Sequence, residues 1–441
     1  MWGASTRTPT VPTSRAPALC AACVALALCA ACVALAQLTG SFALAQAPPA
    51  AAPEAPISSA DWTALTEPLL ERIGEEEARN GLFSRDLIEP LTALGRVYQE
   101  LGEHDLAVAV LDRAFYLWRF NEGLHNLDQV PLVRRLVESE RAVGRFGEVA
   151  ALEERLIELA RRNRNDPRSA PIFREAAERE LDYYERYLNG ELPFTIAVND
   201  SGGPARTAAF SVWRARRYYN EAIAALAGGG EPAYAELAAL EEGLTRTYYL
   251  EARNWQPTSL DPNDWATVRR ASLYGLGRSS YQRRVGYAAA SAPTVYEAAR
   301  ALVELADWSI LFSRNGTGVK GYAQAHALLV EAGAPDAAIE ALFPADVPVF
   351  LPAFVASPLD AQVRAPSPGH VDFDFEIGRY GQPRKIRIVD VSGADAAARA
   401  KAVVGTIGRS RFRPSPFAET ARATTYRLRY SLADGRLSPR S

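Results

Sequence analysis

Four cysteines stand in two Cys-x-x-Cys pairs, Cys20–Cys23 and Cys29–Cys32, and the 441 residues hold no others. That spacing could serve a zinc site or a dithiol centre. The residues between and around the thiols argue against both. From Ala18 to Ala36 only Ala, Val and Leu accompany the cysteines, so no polar turn opens a knuckle. Desolvation in such a run raises a thiol's pKa and makes the thiolate ligand costly. A nine-residue apolar unit beginning Cys-Ala-Ala-Cys is repeated in tandem, preceded by Arg7 and Arg15 and followed by Ala43-Leu44-Ala45-Gln46.

A basic start, an apolar run and a small-residue A-x-A site describe a secretory signal peptide over residues 1–45, cleaved between Ala45 and Gln46. Two alternatives stay open. The apolar run is long enough to cross a bilayer if kept, which would anchor the chain by residues 18–38. Cys23 or Cys32 could instead be a lipidated residue. A membrane therefore enters as a partner only if the leader is uncleaved or lipidated.

Other chemistry is sparse. His104, His125, His326 and His370 stand apart, and no H-E-x-x-H, G-x-S-x-G or G-x-x-x-x-G-K occurs. Gly228-Gly229-Gly230 lacks the Lys and Ser/Thr of a phosphate cradle. No catalytic residue, metal ligand or cofactor is expected. Only three lysines occur, so the positive charge is almost all Arg. Residues 364–441 carry 15 basic and 7 acidic side chains, while the whole chain sums to −3, so the body before them is acidic. An acidic body with a basic tail could favour an anionic partner for the tail, with ordinary solvated faces as the plainer reading, and no nucleic acid is expected as a partner.

The elements that would position any site divide the chain in five: leader 1–45, a Pro/Ala-rich linker 46–60, a helical body 61–342, a Pro-rich linker 343–368 and a tail 369–434. Within the body, Leu94, Gly95, Tyr98, Gly102, Ala107 and Ala114 have the spacing of two antiparallel helices that cross closely. Gly95 and Ala107 are small at the crossing, Tyr98 fills the gap and Gly102 makes the turn. On these residues the chain resembles the tetratricopeptide-repeat family. A second unit follows 42 residues on, with Leu94 matching Leu136, Gly102 matching Gly144 and Leu117 matching Leu159. A later unit runs through Leu302, Leu305, Ala306, Tyr322 and Ala325, with Gly318 where Ala is usual. The resemblance implies a solenoid of helix pairs that binds other proteins or extended peptides.

In the tail the period changes to 2. Val371-Asp-Phe-Asp-Phe-Glu-Ile377 alternates apolar and acidic residues, a turn spans Gly378 to Pro383, and a second strand runs from Lys385 to Ser392. A helix over 394–410 faces inward through Ala400, Val403, Val404 and Ile407. Phe412-Arg413-Pro414 ends it, before a third strand from Tyr426 to Leu432. This ββαβ order, the Gly381 turn, the I-V-D-V-S-G ending and the Phe-Arg-Pro motif resemble the C-terminal domain of TonB. Opposite charges across strands favour the acidic strand in the middle, against Lys385 and Arg387 on one side and Arg427 and Arg429 on the other. The third strand would then be an edge. Tyr426, Arg427, Leu428, Arg429 and Tyr430 become candidates for pairing with an extended peptide, or for guarding that edge with charge.

The expected fold class is an α-helical repeat, a tetratricopeptide-like solenoid, followed by a small α+β domain with an antiparallel sheet. The expected function is a non-enzymatic, periplasmic bacterial-envelope protein that binds other envelope proteins or extended peptides. The alternative is a membrane-anchored TonB-type energy transducer. That alternative needs a kept anchor, which in the family carries a His, and a linker long enough to cross a periplasm. The leader has no His, and residues 46–60 are short.

Overall fold

A computed structural model describes residues 59–188, 203–229, 233–254, 265–291, 294–353, 368–393, 396–416, 424–433 and 435–440. The leader, with Ala45 and Gln46, lies outside them.

Helix pairs begin alike. Ser84, Asn126 and Asp166 each accept a hydrogen bond from the backbone amide two residues on, capping one turn of 3-10 helix. Those turns open helices α2 (Ile88–Glu100), α4 (Val130–Ala142) and α6 (Ala170–Leu188). Each pair also turns alike. Gly102 and Gly144 take φ of +77° and +79°, a left-handed conformation glycine adopts without a Cβ penalty. The amide after each glycine then bonds back to Tyr98 and Glu140 respectively, at 2.8 and 2.9 Å. The return helices are α3 (His104–Asn121) and α5 (Phe146–Arg162). Much later Ser313 holds the same position at φ +60°, with Arg314 N bonded to Ser309 O at 2.8 Å.

Before α2 stands α1 (Ser59–Asn80). After α6 come α7 (Gly203–Ala227), α8 (Tyr234–Asn254), α9 (Trp265–Ala290), α10 (Val295–Leu311), α11 (Asn315–Glu331) and short α12 (Asp336–Leu342). From α2 to α11 each helix packs chiefly on the helices next to it in sequence. That nearest-neighbour pattern defines a helical repeat array. No described helix is long and apolar enough to cross a membrane.

The 42-residue repeat is kept by exchanging volume, not identity. A Cβ on Gly95 would lie 2.5 Å from Leu111, so Leu111 fills the space that glycine leaves. One repeat later Gly95 becomes Val137, which is buried, and Leu111 becomes Glu153. Gly318 follows the same logic, because a Cβ there would meet Ile310 at 2.7 Å. Arginine forks tie neighbouring helices. Arg214 binds Glu180 at 2.7 and 2.9 Å between α7 and α6, and Arg283 grips the fully buried Glu241 between α9 and α8. Two parallel N–H donors on one carboxylate fix orientation as well as distance. The Arg-for-Lys bias therefore has a structural use here.

The tail forms a four-stranded antiparallel sheet from β2 (Gly369–Ile377), β3 (Pro383–Gly393), β5 (Thr424–Ser431) and β6 (Leu437–Pro439), in the order β3-β2-β5-β6. Helix α13 (Ala396–Arg409) covers one face. Val371, Phe373, Phe375 and Ile377 point into the core with Ala400, Val403, Ile407, Leu428 and Tyr430, as the alternation predicts. The acidic strand is central, also as predicted. Asp372 pairs with Arg429 and Asp374 with Arg427 across one border, and Asp374 pairs with Arg387 across the other.

Residues 343–351 are more than a tether. Phe343 packs in the core of α10 and α11, and strand β1 (Phe350–Leu351) pairs with β4 (Arg411–Phe412). Alternation sends Leu351 into the body core and Phe350 into the tail core. Arg413 follows β4 and donates to Asp307 on α10 through Nε at 3.0 Å and Nη2 at 2.6 Å. Its Nη1 donates to Leu342 O at 2.7 Å, while Tyr322 on α11 donates its hydroxyl to Asp307 at 2.7 Å. Both charged side chains are under 10% exposed. Gly381 closes the hairpin at φ +74°, where a Cβ would strike Phe412 O at 2.1 Å and touch Ile310. Body and tail thus form one compact unit from Thr63 to Ser441.

Candidate interaction surface

The residues expected to pack the first repeat do so. Leu94, Ala107 and Ala114 are at most 1% exposed, Tyr98 is buried, and Gly95 and Gly102 have the roles described above. They make a scaffold and offer nothing to a ligand.

The expected peptide-binding edge is corrected. Tyr426 to Tyr430 lie in β5, which is flanked on both sides. β2 pairs along its whole length, and β6 pairs Leu428 with Pro439, Arg429 with Ser438 and Tyr430 with Leu437. Arg440 N adds a bond to Arg427 O at 2.8 Å. The strand alternation was read correctly. What it could not show is that the chain's last residues turn back over the exposed hydrogen-bonding groups, an edge cover of three residues ending in Pro439. The other border, β3, is blunted differently. Its register against β2 shifts twice, and Lys385 sits at φ +51°. Bulges and a lysine are standard guards against strand addition.

One described cluster has metal-ligand composition: His370, Asp372 and Asp390, whose ligand atoms lie within 4.8 Å of one another. Its donors are otherwise engaged. Both Asp372 oxygens accept from Arg429, at 2.8 and 2.9 Å, which places a guanidinium where a cation would sit. His370 Nε2 contacts Asp390 at 3.2 Å. The Arg429 hydrogen bonds hold the buried Asp372 carboxyl below the usual carboxylate range. A depressed carboxyl stabilises the fold above its unfolded pKa, about 3.9, and loses that contribution as pH falls through the lower folded value. Urea midpoints measured from neutral pH downward are therefore expected to drop more steeply below about pH 4 for the native chain than for Asp372→Asn. The two curves are expected to converge in acid.

One described apolar surface with no structural explanation lies on the first repeat. Leu82 and Phe83, between α1 and α2, and Tyr116 and Phe120, one turn apart on α3, are all more than half exposed. The Phe83 ring lies 6.4 Å from Tyr116 and 5.6 Å from Phe120. Asn121 positions them by donating to Phe83 O at 3.1 Å and Leu117 O at 2.9 Å. The second repeat supplies an internal control. Asn163 makes the same clamp, to His125 O at 2.8 Å and Leu159 O at 2.9 Å. There Phe83, Tyr116 and Phe120 become His125, Glu158 and Arg162, and Arg162 donates to Glu158 at 2.7 Å. A solvated ion pair stands where the first repeat carries a bare aromatic cluster. The fold accepts either, so it does not require the aromatics. The sequence reading aligned the two units at 42 but did not carry the alignment to Phe83, Tyr116 and Phe120, where it exposes the substitution.

Comparison with known proteins adds little. No protein-family model and no curated protein matches the chain. One similar solved structure is a circular tandem repeat protein with novel repeat topology and enhanced subunit contact surfaces. It is 18% identical, the match covers 63% of this chain and 67% of that one, and the TM-score is 0.25. That likeness is too loose to carry an argument about fold or function.

Proposed function

We propose that this chain is a non-enzymatic protein of the bacterial cell envelope that holds a partner protein through its first helical repeat. The body is read as tetratricopeptide-like, the tail as related to the TonB C-terminal domain, and the location as the periplasm after loss of residues 1–45. The observation that carries the binding role is the aromatic cluster of Phe83, Tyr116 and Phe120, set against the polar surface of the otherwise equivalent second repeat. Exposed apolar clusters that the fold does not need mark interaction sites, and aromatic residues dominate the energetics of such sites. The docked tail supports a rigid scaffold over a transducer whose terminal domain must travel on a long tether.

The test transplants one repeat's surface onto the other. The triple variant Phe83→His, Tyr116→Glu, Phe120→Arg copies the second repeat and is expected to unfold at the native urea midpoint. In a quantitative co-purification from native envelopes it is expected to lose captured protein by roughly tenfold or more. Equal recovery of partners by both chains would refute the proposed surface. An intact mass beginning at Gln46 tests the location separately.

A further inference from the structure

The repeat also reverses a charge beside the aromatic cluster. In the first unit Arg113 on α3 pairs with Glu77 on α1 at 2.5 Å, and both side chains are partly buried. One repeat on, Arg113 becomes Arg155 on α5 and Glu77 becomes Arg119 on α3. The helices keep step, since α1, α3 and α5 end at Asn80, Asn121 and Arg162. Two guanidinium groups therefore face each other where the first unit places an ion pair.

The chain supplies no substitute for the lost carboxylate. Among the described residues neither arginine makes an ion pair. Arg155 donates to Leu124 O through a terminal nitrogen, but its Nε is buried without an acceptor. Arg119 lies over the Phe115 ring, 5.5 Å from its centroid. Glu158 is committed to Arg162 at 2.7 Å, and Asp112 and Glu154, exposed on the same helices, pair with neither arginine. Burial, and after it the Arg119 guanidinium, hold Arg155 below its ordinary basicity, more than Glu158 raises it. Like charges in such a place cost stability unless an anion sits between them.

We infer that this pair takes up an aspartate or glutamate side chain of the partner protein, its carboxylate bridging both guanidinium groups. The inference rests on the reading of Phe83, Tyr116 and Phe120 as the partner's seat, and adds the partner's chemistry: an acidic residue beside apolar ones. Two observations choose the occupant. The place is one that a glutamate fills a repeat earlier, and a guanidinium fork matches a carboxylate. Arg119 is also three residues from Tyr116 and next to Phe120 on α3, so it borders the aromatic surface.

The probe is propionate, the end of a glutamate side chain. At equal sodium concentration, sodium propionate is expected to raise the urea midpoint of the full native chain above that in sodium chloride. Arg119→Glu, which copies the first unit, and Arg155→Gln are expected to remove most of that difference. Arg119→Glu is also expected to unfold no earlier than the native chain, because it exchanges a contact of like charges for an ion pair. In co-purification from native envelopes it is expected to lose captured protein by about fivefold or more. A propionate effect equal in the native chain and both variants overturns the proposal. So does a larger effect of methyl phosphate, and so does earlier unfolding of Arg119→Glu. Full capture by Arg119→Glu, beside loss in the Phe83, Tyr116 and Phe120 triple variant, refutes the bridged carboxylate and leaves the aromatic surface standing. Loss in Arg119→Glu beside full capture by the triple variant supports the arginine pair and refutes the aromatic surface.

Discussion

Replacing Arg413 with Leu is expected to lower stability by about 3–5 kcal/mol, the cost of stranding one partner of a buried ion pair. The substitution leaves Asp307 with the Tyr322 hydroxyl as its one remaining donor among the described contacts, and leaves Leu342 O without the Nη1 hydrogen bond. Asp307 is 4% exposed, so little water reaches the carboxylate that has lost its guanidinium. The loss shows as a lower urea midpoint and as earlier proteolysis between body and tail. A companion result identifies the cause. Adding Asp307→Leu recovers part of the loss, since removing both charges also removes the stranded one. A drop under about 1 kcal/mol would mean that the pair behaves like a surface salt bridge and does not lock the unit.

Trp308→Ala is expected to cost about 3–5 kcal/mol, the range for deleting a large buried aromatic. The indole is fully buried, donates Nε1 to Tyr274 O at 3.0 Å, and lies 4.5 Å from Phe312 and 5.8 Å from Tyr281. Gly277 faces it, and a Cβ there would come within 2.1 Å of the ring. Glycine and tryptophan therefore fill one volume between α9 and α10. Gly277→Ala is expected to be harmful in the native chain and close to neutral beside Trp308→Ala, a coupling a double-mutant cycle detects in urea midpoints. Additive losses would show that the two sites relax independently.

Much of the architecture could be read from local pattern. Val371 to Ile377 alternates because one face of the strand is buried, and the charges on three strands sufficed to place the acidic strand centrally, where Asp372 meets Arg429. Gly102 and Gly144 announced the turns through their need for positive φ. The exchange of Gly95 and Leu111 for Val137 and Glu153 was not legible, because volume at a helix crossing is a property of the pair. Nor was the closed border of β5, because Leu437 to Pro439 are too few residues to carry a strand period.

What the sequence alone determined is periodic: which residues turn inward, where helices stop, and the change from a helical to a strand repeat at the tail. Periodicity reports a face but not what covers it. Asp307 and Arg413 are 106 residues apart, and Phe83 meets Phe120 across a turn and a helix pair. Only tertiary structure brings such residues together. It also decides whether an aromatic or a carboxylate ends in a core, a junction or open water, because burial depends on every other element that reaches the same place.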